Sequence, residues 1–203
     1  MKTNEIISEI FQQKYDSAED YVEILEDECW RFIDAAQEPF GLFRGVNISG
    51  YQEWIEKKVR LEGRKPLNSS GELHDALNKA FVEKFGKPYR NSLFASGDPA
   101  ISFGDTTYCI FPQREYTFCW SPDVTDLYTS WKHWKGTETD NSEQDRIESF
   151  VDHYVTNGKY RTTDLDAAMK SKCEIMIWCD AYYGIAAMSD TKIHAMKELM
   201  QLA

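Results

Sequence analysis

Along residues 18–36 the apolar side chains Val22, Leu25, Cys29, Phe32, Ile33 and Ala36 recur at steps of three and four, with acids on the outer face. That spacing predicts an amphipathic helix. Ser17 is its expected N-cap, Glu19 and Asp20 sit in the first turn where the helix dipole favours acids, and Pro39 ends it. Residues 3–15 read as a preceding helix. Leu42–Val46 is then a short apolar run, read as a buried strand, and Tyr51, Trp54, Ile55 and Val59 return to helical spacing. Ser69-Ser-Gly-Glu72 reads as a capping box with Ser69 as N-cap and Glu72 three residues on. The helix it opens carries Leu73, Ala76, Leu77, Ala80, Phe81 and Phe85 on one face and stops at Gly86. His74, in its first turn, reads as a solvated surface side chain.

The second half of the chain alternates more. Ser92–Ser96 reads as a strand, followed by a Gly97-Asp98-Pro99 turn and a short helical step to Gly104. Thr107–Phe111 and Glu115–Trp120 are two strand-like runs with a tight, charged connection, which predicts a hairpin. The stretch 126–141, with Tyr128, Trp131 and Trp134 among polar residues, has no clean period and reads as a loop over a cleft or a partner surface. Ser142 caps a helix with Ile147, Phe150, Val151, Tyr154 and Val155 in one stripe, closed by Gly158. Thr163–Met169 is a short helix. After it a charged cluster runs into Ile175-Met-Ile-Trp178, which is how a buried strand starts, and an aromatic continuation follows through Ile185. Asp190 caps a last helix through Ile193, Met196, Leu199 and Met200.

Composition narrows the class. At 203 residues, 42% of them hydrophobic and 14% aromatic, the chain can fill one core. It divides into an N-terminal helical segment, 1–38, packed on a core domain, 39–203, of α+β class. No apolar run approaches a membrane span, and the polar start carries no secretory signal. The five cysteines, at 29, 109, 119, 173 and 179, contain no CxxC pair and read as buried, reduced residues of a cytoplasmic protein rather than a zinc site or a disulfide framework. A net charge of −11 argues against duplex binding, which needs a basic stripe. Lys57-Lys58, Arg60 and Arg64-Lys65 form the only basic run, either a solvated face or a local patch receiving phosphates.

Three strand ends carry candidate chemistry. Gly41-Leu-Phe-Arg-Gly-Val46 holds a lone arginine in an apolar run, costly to bury without an anion or an internal salt bridge. Gly45 beside it admits a ligand or another backbone. Asn91-Ser-Leu-Phe-Ala-Ser-Gly97 ends a strand on Ser96, and Ser171-Lys-Cys-Glu-Ile-Met-Ile-Trp-Cys179 opens a strand on Glu174. Arg44, Ser96 and Glu174, in that order, resemble the R-S-E triad of the ADP-ribosyltransferases, of the kind found in bacteria and bacteriophages. The resemblance spans residues 41–185. It implies a split, mixed β-sheet flanked by helices, with NAD as substrate and no metal.

On that resemblance Arg44 would hold the NAD phosphates and ribose, the Gly45 backbone the nicotinamide amide, and Glu174 the ribose hydroxyl, with Ser96 orienting Glu174. Phe103 and Tyr108 are candidates to stack on nicotinamide, although an aromatic in such a place, taken singly, is more often core than platform. The family's Ser-Thr-Ser pattern is met only at Ser96, in Ala95-Ser96-Gly97; Ser102 lies too far along to supply the other serine. Arginine-modifying members carry Glu or Gln two residues before the catalytic glutamate; this chain has Lys172, an acceptor-recognition candidate that argues for a different acceptor. A protein acceptor is expected ahead of a nucleic acid, and no membrane partner. The competing class is a binding protein: a transferase fold without turnover, or an acidic inhibitor acting by protein contact.

Overall fold

The computed structural model describes residues 18–64, 69–101, 104–137, 142–187 and 190–202. Helices α1 (Ala18–Glu28) and α2 (Trp30–Ala35) open it, followed by strands β1 (Phe43–Val46) and β2 (Trp54–Lys58) and helix α3 (Gly71–Phe85). A 3₁₀ turn at Tyr89–Asn91 leads into β3 (Leu93–Ser96), and a second at Pro99–Ile101 precedes β4 (Thr106–Pro112) and β5 (Thr117–Trp120). Helices α4 (Leu127–Thr137), α5 (Glu143–Val151) and α6 (Leu165–Lys170) come next, then β6 (Glu174–Trp178), β7 (Ala181–Ala186) and α7 (Asp190–Leu202). The α+β class holds. The sheet has seven strands in the order β2-β7-β4-β1-β3-β6-β5, and every described pairing is antiparallel, where a mixed sheet was expected.

The sheet is close to divided. β4 and β7 share five register pairs, but β1 and β3 share one, Phe43 opposite Ser96. Only Cys179 and Asp180 separate β6 from β7, a link that can reach about 11 Å. In a flat sheet those two strands would stand four spacings apart, roughly 19 Å. The sheet therefore folds over at the β1–β3 joint, bringing the end of β6 to the start of β7. One core fills the fold: Leu93, Ala95, Ile175 and Ile177 join Tyr108, Ile110 and residues of α1, α2 and α6. The alternate residues Phe94, Met176 and Cys119 face a second core built with α3, α4 and α5. α1 and α2 share the first core with the strands, Tyr21 stacking on Trp54 at 4.5 Å and Phe32 meeting Phe111 edge-on.

Four local expectations are corrected. Trp54–Lys58 is a strand, not a helix: it pairs along its whole length with β7, and four apolar residues over nine positions do not specify a period. β4 and β5 do not form a hairpin. Arg114 adopts a left-handed φ of 51° and its backbone N–H and guanidinium both bind Glu28, so the chain turns away to the far edge and β5 pairs with β6. The expected loop from 126 is helix α4 over Leu127–Thr137. Trp131 and Trp134 pack on Phe150, so these rings that broke the polar pattern are core anchors. The N-cap of α3 is Ser70, whose hydroxyl accepts from the Leu73 N–H, one residue later than the capping box required. The helix at 3–15 and the Ser17 cap lie outside the described residues.

Gly97 sets how closely the end of β3 approaches the helix that leads into β6. A Cβ there would stand 1.5 Å from the carbonyl oxygen of Met169, so the turn after β3 lies directly on the end of α6, the helix that delivers β6. Backbone on both sides cannot yield as a side chain would. Gly97→Ala is expected to destabilise the protein by about 3 kcal/mol, seen as a melting temperature lower by roughly 10 °C. An unchanged melting temperature would show that the two backbones separate freely.

Candidate active site

The sequence brings two of its three candidates face to face. Ser96 and Glu174 are direct cross-strand partners on β3 and β6, so their side chains share one face of the sheet. It is the face of Phe94 and Met176, looking toward α3 and α4. Glu174 sits at the strand mouth, its N–H held by the Thr125 carbonyl at 2.8 Å. Ser96 is buried, and its Oγ accepts from the Asp98 N–H at 3.1 Å, closing the turn that follows.

Arg44 stands on the next strand but is set one residue off. Its neighbour Phe43 is the residue opposite Ser96, so alternation turns Arg44 to the other face. Its stem runs to the opening between β1 and β3, where Nη1 donates to the Phe94 carbonyl at 2.6 Å. A ladder carried one step further would have covered that carbonyl. Nε of Arg44 is buried with no hydrogen-bond partner, and among the described residues no carboxylate pairs with its guanidinium. Gly45 beside it is buried, and the close neighbour is backbone: a Cβ on Gly104 would lie 2.5 Å from the Val46 nitrogen.

The partner of Glu174 is an arginine the motifs did not contain. Arg90, in the 3₁₀ turn before β3, donates from Nη1 to Oε1 of Glu174 at 2.8 Å, each side chain 13% exposed. Arg64 reaches in from the β2–α3 connection and donates to the Ser92 carbonyl. Both guanidiniums lie over the Phe94 ring, 4.5 Å from its centre for Arg64 and 4.6 Å for Arg90. Phe94 therefore collects three guanidiniums, one on its carbonyl and two on its ring. Burial, and then the like charges of Arg44 and Arg90, lower the Arg64 pKa to about 10. Burial holds the Glu174 carboxyl above the ordinary carboxylate value. Arg90 opposes that rise, and the Asp126 carboxylate adds to it.

A small polar network positions Arg90. His74, expected at the surface, is buried at 7% and its Nε2 lies 2.9 Å from Oδ1 of Asn91 and 3.1 Å from Nδ2 of Asn78. Asn78 also accepts the Arg90 N–H at 2.9 Å. Burial pushes the His74 pKa down, as does the charge of Arg90. Neutral, it fits a network of amides beside cations.

The remaining candidates separate. Tyr108 is wholly buried with its hydroxyl donating to the Gln52 carbonyl at 2.6 Å, so it offers no ring face to a ligand and belongs to the core. Phe103 lies outside the described residues. Lys172 is exposed at the rim, its Nζ 3.5 Å from Oδ2 of Asp98 in the turn after Ser96. Arg64 had a signal, as the end of the one basic run; Arg90 had none, since only the packing of α3 aims it at β6. Among the described residues no group of His, Cys, Asp and Glu is placed to hold a metal ion. No described helix is long and apolar enough to cross a membrane, and all five cysteines are buried and unpaired.

The Arg90–Glu174 pair sets a pH test. A buried carboxyl with a raised pKa burdens the fold little while protonated and more once ionised. Its penalty therefore grows as pH rises through that pKa. Removing the cation raises the pKa further, so Arg90→Met is expected to cost about 3 kcal/mol at pH 8 and distinctly less at pH 5. Denaturant unfolding of both proteins at the two pH values checks this; equal losses at both would mean that Glu174 is not ionised against Arg90.

No family model, curated protein or solved structure matches the chain, so the site is read from its own geometry.

Proposed function

We propose that the protein is a mono-ADP-ribosyltransferase that cleaves the nicotinamide–ribose bond of NAD and passes ADP-ribose to a macromolecular acceptor. The observation that carries this is Glu174 standing opposite Ser96 at a strand mouth, beside the guanidiniums of Arg90 and Arg64, in a chain of net charge −11. Such a cation cluster in an acidic protein calls for an anion, and a nucleotide diphosphate supplies one. Cleavage of the bond leaves its electron pair on nicotinamide and develops positive charge at the ribose carbon, as in glycoside cleavage. Glu174, ionised, would hold the ribose hydroxyl and steady that charge. The acceptor nucleophile then bonds to the ribose carbon and gives up its proton. Held groups and electrostatics would supply most of the rate.

A second reading, a transferase-like binding protein without turnover, is favoured by one feature: Glu174 is already ion-paired with Arg90 in the free protein. Glu174→Gln separates the two. The transferase reading expects nicotinamide release to fall at least a thousandfold, since the lost charge acts mainly in the transition state, while NAD binds no more weakly than to wild type. Turnover measured beside a calorimetric NAD titration decides it. Activity within tenfold of wild type removes Glu174 from the chemistry.

Lys172 bears on the acceptor. A carboxylate at that position can grip an arginine side chain through two hydrogen bonds, whereas an exposed ammonium repels it. Agmatine should therefore be a poor acceptor, and sites mapped by mass spectrometry in a lysate treated with labelled NAD should fall on groups other than arginine. Efficient agmatine modification would overturn this.

A further inference from the structure

Arg64 and Arg90 lie over the Phe94 ring and Arg44 holds its carbonyl from the other face of the sheet; among the described residues only Arg90 of the three has a carboxylate partner. Arg90 reaches Glu174 through a single nitrogen, Nη1. Arg64 spends its hydrogen bond on a neutral carbonyl and lies on a neutral ring, and among the described residues it has no carboxylate partner. Arg44 does the same with the Phe94 carbonyl and leaves its Nε unsatisfied. Like charges so gathered and partly desolvated oppose folding unless something else offsets them. Arg64 stands beside the Arg90–Glu174 pair without a carboxylate partner among the described residues, a positive charge that a phosphate group would balance. Each guanidinium has five N–H donors and uses few of them here, and a guanidinium fork can bind phosphate oxygens in pairs.

We infer that Arg64 and Arg90 form a seat for the diphosphate of a nucleotide, and that an anion in this seat draws Arg90 away from Glu174. The ion pair is then a latch: in the free protein it holds the carboxylate, and the ligand's own phosphates release it. Arg64 and Arg90 come from the β2–α3 connection and the turn before β3, outside the three stretches that carry the motif resemblance. Naming the ligand as NAD rests on the transferase reading; the diphosphate seat does not. His74, Asn78 and Asn91 are positioning residues for Arg90 and touch no ligand.

Calorimetric titration with ADP, inorganic pyrophosphate and adenosine tests the seat. Wild type should bind ADP and pyrophosphate, and adenosine at least tenfold more weakly than ADP. Arg64→Met and Arg90→Met should each lose at least tenfold in ADP affinity, while Arg114→Met, which removes an exposed arginine paired with Glu28, should lose none. Glu174→Gln frees Arg90 and should bind ADP at least threefold more tightly. It also covers the case in which an arginine variant fails to fold. ADP affinity within twofold of wild type in both Arg64→Met and Arg90→Met overturns the seat, and unchanged or weakened ADP binding in Glu174→Gln overturns the latch. A wild type that binds ADP but never releases nicotinamide from NAD refutes the transferase reading and keeps the seat. Nicotinamide release with an unchanged KM for NAD in Arg64→Met and Arg90→Met refutes the seat and keeps that reading.

Discussion

The structure depends on one backbone pairing, Phe43 opposite Ser96. Through it a four-strand half, β2-β7-β4-β1, is joined to a three-strand half, β3-β6-β5, and at it the sheet folds over. Were the ladder longer, the Phe94 carbonyl would be spent on β1. Instead it is open to Arg44, and the neighbouring ring is open to Arg64 and Arg90. Ser96 ends β3 and Glu174 begins β6, so both lie at the mouths of inner strands. Gly97 secures the joint from the other side by letting the turn after β3 rest on the end of α6. Local geometry and candidate chemistry thus share a cause: an interrupted ladder leaves polar backbone that charged side chains must satisfy.

The parts of this legible in the sequence are those set by neighbours along the chain. Helical periodicity located α1, α3 and α5, Gly86 closed α3 in a left-handed turn, and Ser142 caps α5 through the Asp145 N–H. The strands bearing Arg44, Ser96 and Glu174 were visible as apolar runs against polar flanks. What escaped depends on contacts distant in sequence. Trp54 and Ile55 fit a helix until β7 is placed beside them. Pro112–Glu115 resembles a hairpin turn until Glu28 takes hold of Arg114. Trp131 and Trp134 look like surface aromatics until Phe150 arrives from α5. His74 is buried by a turn seventeen residues downstream. The site divides the same way. The serine and glutamate stood out by position on a strand, whereas Arg90 becomes part of the site only through the His74–Asn78–Asn91 network.

Charge explains why so acidic a chain gathers three guanidiniums in one place. Acids on outer helix faces cost little in water, and they leave the arginines at Phe94 as a local positive region, which on the proposed reading receives the substrate's phosphates. Glu174 is suited to such a place because its burial and its pairing act in opposite directions: desolvation favours the protonated form, Arg90 the ionised one. A carboxylate balanced in this way responds strongly to whatever next approaches Arg90. On the proposed reading that arrival is the substrate.

The most direct measurement is nicotinamide release by the purified protein incubated with NAD and no acceptor, followed by chromatography. The account predicts slow, saturable release that is inhibited by ADP. No release above the rate in buffer, together with no rise in melting temperature at millimolar NAD, would contradict it.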